Sequence, residues 1–569
     1  MRKHVTGIPA SAGIAIGPAW IYEPFELKYE VRGLCDPQDE ISRLDKAIIQ
    51  TETQLEELRE RTARMIGEEE AEIFEAHKLF LCDPEFIGSI QTDIKNRRIN
   101  AEAAVEEGVE KFAQTLMALD SEYFRARAQD IRDVGRRLVA CLMDVVLDDL
   151  GLPDQPVIIF ADDLTPSDTV QFDKENILGL CTIRGGPTSH TAILARSLGV
   201  PACVSMPFDM LDLEYGLMCV LNGSEGGLII DPNETEIAEA RGLKSEFLEE
   251  WGFQLSSAQE PAVTLDGFCV EVVANIGSLA DAHQAVEFGA EGVGLFRTEF
   301  LYLDRDTMPT EGEQISVYWE IFEVMGTRPV VVRTMDIGGD KNVRYIGFSQ
   351  EQNPFLGWRA IRMTDKRPDL LSIQLRALLQ AGEKSDLRIM IPLVSCLEEV
   401  ELALDILNSA KADLQREGKS FAQQLQFGIM VEVPSAAILA EEIADKVDFF
   451  SIGTNDLTQY TLAVDRTNEM VAHLASPFHP AVIRLIDQTI KSAHRKGKWV
   501  GLCGEMAGDP LAAPLLLGLG LDEFSMAANS VPRIKQILRT LDRQKCAAIA
   551  AKALSLSTTA EVKSYLSNL

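Results

Sequence analysis

The sequence predicts a multidomain α/β protein, with a helical bundle inserted in an α/β domain and a (β/α)8 barrel following it. Three observations carry this. The chain has 569 residues, more than a single hydrophobic core holds. A proline-poor stretch from about 37 to 148 has helical spacing and lies between two stretches that read as strands. From 265 onward, eight short apolar strands alternate with helical or loop segments, the signature of a barrel.

Taken in order, Gly7-Ile8-Pro9-Ala10-Ser11-Ala12-Gly13-Ile14-Ala15-Ile16-Gly17 is a β-rich start, with short apolar stretches punctuated by glycine. Ile41, Leu44, Ile48, Leu55, Leu58 and Met65 then mark one face of a first helix. Three more helices are expected at Glu68 to Phe80, Ala101 to Leu119 and Ala128 to Leu147, making a four-helix bundle. Strands are expected again at 157–160, 177–183, 202–204 and 217–221, with a charged connector helix over 234–252 that begins after the capping residue Asn233. The barrel strands are read at Val270-Ala274, Gly292-Phe296, Pro329-Val332, Leu387-Pro392, Phe427-Val431, Phe449-Gly453, Trp499-Leu502 and Glu523-Met526.

Composition narrows the function. With 88 acidic against 54 basic residues the net charge is −34, which argues against nucleic acid or an anionic membrane as a partner and suits a partner with a basic face. The start of the chain has no uninterrupted apolar signal region, and no apolar run reaches the ~18 residues that span a bilayer. The ten cysteines are scattered, without C-x-x-C or zinc spacing, and read as reduced thiols in a cytoplasm.

Two constellations carry chemistry. In Gly185-Gly186-Pro187-Thr188-Ser189-His190-Thr191-Ala192-Ile193-Leu194-Ala195-Arg196, a glycine turn leads into a helix with His190 in its first turn. Helix N-termini hold phosphate well, and a histidine there can take a phosphoryl group on a ring nitrogen. In the barrel, polar residues follow the strands: Arg297, Arg333, Glu432, Asn455 and Asp456 with Arg466 just beyond, and Cys503 with Gly504 and Glu505. Active sites of such barrels form at these C-terminal ends. Three arginines suit a small, multiply charged anion; Glu432 and Asp456 suit Mg2+; and Cys503 is placed to donate a proton.

The histidine string resembles the phosphohistidine motif of the phosphoenolpyruvate-utilising enzymes, with Pro187 where several members carry Arg. Gly7 to Ser11, Glu72 to His77, Gly294 to Leu301, Val332 to Lys341, Asn353 to Arg362, Ser451 to Arg466 and Gly501 to Gly508 extend the likeness along almost the whole chain, to the enzyme I family of phosphoenolpyruvate–protein phosphotransferases. The resemblance implies that His190 is the phosphorylated histidine with Thr169 near it. It implies that Arg297, Arg333, Asn455, Asp456 and Arg466 bind phosphoenolpyruvate, that Glu432 and Asp456 hold Mg2+, and that Cys503 is the proton donor. It further implies a swivelling phosphohistidine domain of residues 1–24 and 149–232, a helical domain of 25–148 that docks the phosphocarrier HPr, a linker of 233–260 and a barrel of 261–569 that binds phosphoenolpyruvate and forms a homodimer. The implied reaction is the first step of the sugar phosphotransferase system, with pyruvate released. The alternatives are the nitrogen-regulatory paralogue and a phosphoenolpyruvate synthase or dikinase. No Walker-type glycine loop supports the nucleotide-binding domain that the last two require.

Overall fold

The computed structural model describes residues 3–22, 27–33, 36–65, 68–117, 122–145, 147, 155–169, 176–186, 189–207, 213–303, 305, 307–338, 343–347, 351–466 and 469–569. They form two compact units, Met1–Glu250 and Trp251–Leu569.

The first unit opens with strands β1 (Lys3–Thr6), β2 (Ile8–Ser11) and β3 (Ile14–Ile21). Helices α1 (Pro37–Met65), α2 (Glu68–Leu81), α3 (Pro84–Arg97), α4 (Ala101–Met117) and α5 (Glu122–Leu142) follow. The chain then forms β4 (Val157–Ala161), the single turn α6 (Pro166–Thr169), β5 (Ile177–Thr182), α7 (His190–Leu198), β6 (Ala202–Val204), β7 (Met218–Asn222), β8 (Gly227–Ile230) and the long helix α8 (Glu234–Ser257). The strands make one sheet in the order β1-β8-β7-β3-β4-β5-β6-β2, so the amino-terminal strands and those after the helices share one layer.

The described helices before β4 number five rather than four. The missing one is α3, whose start at Asp83-Pro84 looks like a break in sequence. Asp83 instead caps it, accepting from the amides of Glu85 and Phe86, and Pro84 occupies the first turn, where no amide is needed. Phe86, Ile90 and Ile94 give α3 a fully buried face. The connector helix also runs five residues past its expected end, to Ser257.

In the second unit, a short strand β9 (Ala262–Val263) precedes eight barrel strands. These are β10 (Cys269–Ile276), β11 (Val293–Phe296), β12 (Val330–Arg333), β13 (Leu387–Ile391), β14 (Gln426–Val431), β15 (Phe449–Ile452), β16 (Trp499–Leu502) and β17 (Glu523–Ala527). Each pairs in parallel with the next, and β10 pairs with both β17 and β11, closing the barrel. Within this unit, buried Lys535 donates to the carbonyls of Ala258, Glu260 and Gly289, and Arg539 to those of Ser257, Glu260 and Pro261.

Side-chain alternation sorts the barrel into an outer and an inner layer. Val330 and Val332, Phe450 and Ile452, and Val500 and Leu502 pack outward against the helices. Val331, Met390, Met430 and Phe449 fill the interior with Leu295 and Cys503. The same period of two carries Arg333, Glu432 and Cys503 inward at the C-terminal mouth, and Arg388, Trp499 and Glu523 inward at the floor. Among the described residues no helix is long and apolar enough to cross a membrane.

Candidate functional site

The barrel mouth is built from the ends of several strands and the loops beyond them. Arg333, the last residue of β12, is buried and holds Glu299 at 2.9 Å through Nη2 and Asp336 at 3.3 Å through Nη1. Glu299 Oε1 also accepts the amide of Asp336 at 3.0 Å. Arg359 closes the network: its Nε and Nη2 each lie 2.7 Å from one oxygen of Asp336, and Nη2 reaches Asp456 Oδ2 at 3.3 Å. Two planar guanidinium groups are thus fixed by carboxylates before any ligand arrives. Burial acts to lower the pKa of both arginines, but the surrounding carboxylates outweigh it and raise it, so both stay charged.

Glu432 follows β14 at the same depth. One oxygen accepts the amide of Leu393 at 3.0 Å. Burial, then Asp456 and Asp336, push its carboxyl up to about 8 against the pull of Arg359 and Arg333. Asp456 sits in the first turn of the helix Thr454–Leu462, where the helix dipole favours an anion. Among the described residues its buried Oδ1 has no hydrogen-bond partner, and Arg466 Nη2 lies 4.0 Å from it. Among the described residues no group of three or more His, Cys, Asp or Glu is poised to hold a metal ion. The pair Glu432 and Asp456, one with an orphaned oxygen and the other unwilling to ionise alone, fits a hard divalent cation, which takes one or two carboxylates and completes its shell with water and ligand oxygens.

Asn455 exchanges hydrogen bonds with Glu505, donating Nδ2 at 3.2 Å and accepting the Glu505 amide at 3.4 Å. Arg466 is exposed at the edge of the mouth, its amide bonded to Gln459. Arg297 is half-buried just past β11, its amide bonded to Ile276. Cys503 is buried at the end of β16 with Sγ 3.7 Å from the Ile452 carbonyl, and burial pushes its thiol up to about 11, so it rests protonated. Gly504 must lack a side chain here: a Cβ would overlap Thr454 Oγ1 and lie 2.8 Å from the Thr454 amide nitrogen.

The structure therefore gathers Arg333, Glu432, Asp456 and Cys503 inside the mouth and sets Arg297, Asn455 and Arg466 around it. Sequence reasoning missed Glu299, Asp336 and Arg359. Asp336 had a signal in its spacing of three from Arg333. Arg359 lies in a long loop rather than at a strand end, so the strand-end rule passes over it.

In the first unit, α7 starts at His190. Ser189 caps it through a bond from the Ala192 amide, and Gly199 ends it at φ 66°. The side chains of His190 and Thr169, and all of Pro187 and Thr188, lie outside the described residues. The turn that carries Thr169 is anchored by its neighbour. Asp168 accepts the amide and hydroxyl of Thr165 at 3.1 and 2.8 Å, accepts from the Tyr22 hydroxyl, and pairs with Arg136 of α5 at 3.6 Å.

Comparison with known proteins gives the family of the chain. Residues 254–543 match the family described as "PEP-utilising enzyme, PEP-binding domain", residues 6–127 match "PEP-utilising enzyme, N-terminal", and residues 153–226 match "PEP-utilising enzyme, mobile domain". A protein of Priestia megaterium named phosphoenolpyruvate-protein phosphotransferase is 44% identical over 100% of this chain and 99% of its own. Proteins of the same name from Geobacillus stearothermophilus and Bacillus subtilis are 44% and 43% identical, each over 99% of this chain and 98% and 99% of their own.

Proposed function

We propose that this chain, which belongs to the phosphoenolpyruvate-protein phosphotransferase family of PEP-utilising enzymes, passes the phosphoryl group of phosphoenolpyruvate to His190 and then to a histidine of the phosphocarrier HPr. The observation that carries this reading is the buried lattice of Arg333 and Arg359 with Asp336, Glu432 and Asp456 at the barrel mouth. Such a lattice holds fixed positive charge where a phosphate and a carboxylate would otherwise have to be drawn out of water.

Arg297, Arg333, Asn455, Asp456 and Arg466 form the pocket for phosphoenolpyruvate in this reading, with Arg359 as a further guanidinium. Glu432 and Asp456 would hold Mg2+; when bound, it supplies charge neutralisation across the phosphoryl oxygens. The ring nitrogen of His190 attacks phosphorus in line. The bond from phosphorus to the enol oxygen breaks, its electron pair staying on oxygen, and the enolate remains in the pocket. Cys503 then gives its thiol proton to C3 of the enolate, forming pyruvate. The raised pKa of that thiol keeps the proton on sulfur until the enolate, a strong carbon base, takes it.

The domain assignment goes with this reading: 1–24 and 149–232 as the swivelling phosphohistidine domain, 25–148 as the HPr-docking domain, 233–260 as the linker and 261–569 as the barrel that forms the homodimer. The net charge of −34 supports a carrier with a basic face, and a cytoplasmic setting suits the scattered cysteines. Intact-mass analysis after incubation with phosphoenolpyruvate and Mg2+, with and without HPr, tests the relay. The reading expects a gain of one phosphoryl group that HPr removes. A gain from ATP instead would favour a dikinase, and no gain from either would overturn the reading.

A further inference from the structure

Strand β10 brings to the mouth a residue with no role in the reaction above. Asn275, near the end of β10, donates Nδ2 to the backbone carbonyl of Cys503 at 3.0 Å. Its Oδ1 accepts the hydroxyl of Ser525, on the neighbouring strand β17, at 2.6 Å. The orientation of this amide is chemically forced. A carbonyl can only accept, so the NH2 end must face Cys503, which leaves the oxygen for Ser525. On its other side the Cys503 amide donates to Ile452 at 3.0 Å, and Gly504 is wedged against Thr454 with no room for a Cβ. The peptide groups on both sides of Cys503 are therefore held, one by β15 and one by a side chain from β10.

We propose that Asn275 is a positioning residue that aims the Cys503 thiol at the substrate carbon, with Ser525 setting the Asn275 amide. The inference rests on the reading of Cys503 as the proton donor. In the step concerned, a C–H bond forms at C3 of the enolate as the S–H bond breaks. The S–H electron pair stays on sulfur as thiolate, which solvent reprotonates. A thiol rotated or shifted by about 1 Å loses reach to one face of a planar enolate, and misplacement on that scale costs on the order of a hundredfold in rate. Among the described residues Asn275 makes no hydrogen bond to the arginine and carboxylate lattice, its side chain bonding to Cys503 and Ser525, so binding of phosphoenolpyruvate and attack by His190 are left in place.

The test measures turnover to pyruvate, KM for phosphoenolpyruvate and the facial selectivity of protonation. Selectivity is read from the chirality of the pyruvate methyl group formed from stereospecifically tritiated phosphoenolpyruvate in D2O. Asn275→Ala is expected to lower kcat by about 10- to 100-fold with KM unchanged, and to lose facial selectivity as Cys503→Ala does. Asn275→Asp, which cannot donate, is expected to do the same. Ser525→Ala is expected to lose less than tenfold, because the Cys503 carbonyl still selects the NH2 end. A purely structural role would lower the melting temperature and leave selectivity intact. Should Cys503→Ala be impaired while Asn275→Ala and Asn275→Asp keep wild-type kcat and selectivity, the positioning role is overturned alone. Should Cys503→Ala itself be normal, the proton-donor reading falls and the positioning role with it. If Asn275→Ala fails to fold, Asn275→Asp and Ser525→Ala carry the same test.

Discussion

The two ends of the barrel each bury an acid beside arginine, and the two are built differently. At the mouth, Glu432 takes an amide hydrogen bond, lies among Asp336 and Asp456, and faces two guanidinium groups locked in place by other carboxylates. At the floor, among the described residues neither oxygen of buried Glu523 has a hydrogen-bond partner, and Arg388 is 3.7 Å away. Arg388 is itself covered by Trp499 at 5.0 Å, which stacks on Phe449. Burial pushes both acids up to about 8. A raised pKa therefore marks burial, not function. The mouth is distinguished by convergence: several charged groups from different strands share one cavity at the C-terminal end, whereas the floor is a plug of stacked rings and one neutral acid.

The comparison breaks most visibly through Asp456→Asn. Removing one negative charge from the mouth should lower phosphoryl transfer from phosphoenolpyruvate by about two to three orders of magnitude, read by a coupled pyruvate assay. Glu523→Gln should leave that assay within about twofold, as expected for a residue on the stability face of the barrel. Equal losses from the two variants would erase the distinction drawn here. Cys503→Ala should slow turnover about 10²- to 10⁴-fold while phosphoenolpyruvate still binds, measured by calorimetry; unchanged turnover would make it a packing residue.

Stability against pH sharpens the contrast. The folded state holds a proton on Glu523 that the unfolded chain releases near 4.5, so its contribution is fully present below about 4.5 and is lost as pH rises through about 8. Denaturant midpoints should therefore fall across that window, with up to about 1.4 kcal/mol per pH unit from this group. Glu523→Gln should flatten the slope, and an unaltered slope would show that the floor acid is ionised. The smallest expected effect separates two glycines. A Cβ at Gly501 meets the Glu523 side chain, its carboxyl oxygen at 2.7 Å, whereas one at Gly504 also meets the Thr454 backbone nitrogen at 2.8 Å. Both alanine variants should lose about 1–3 kcal/mol by chemical denaturation, but only Gly504→Ala should also lose activity.

Much of this was legible in the chain. The eight barrel strands fall within a few residues of their expected places, because parallel strands buried on both faces leave apolar runs that break where the strand ends. The same breaks exposed Arg333, Glu432 and Cys503. Arg359 and Asn275 were not legible. The first comes from a loop whose path depends on pairing with Asp336, and the second sits inside a strand, where an asparagine gives no sign that it reaches across to the Cys503 carbonyl. The helix α3 was hidden by a proline that starts a helix rather than ending one.

The most direct test of the central claim, that the mouth delivers phosphate to His190, is to map the phosphoryl group after brief incubation with phosphoenolpyruvate and Mg2+ in the wild type and in His190→Ala, Asp456→Asn and Glu523→Gln. One acid-labile phosphoryl group is expected on the peptide containing His190 in the wild type and Glu523→Gln, and none in the other two. Labelling of the His190→Ala chain, or full labelling of Asp456→Asn, would contradict it.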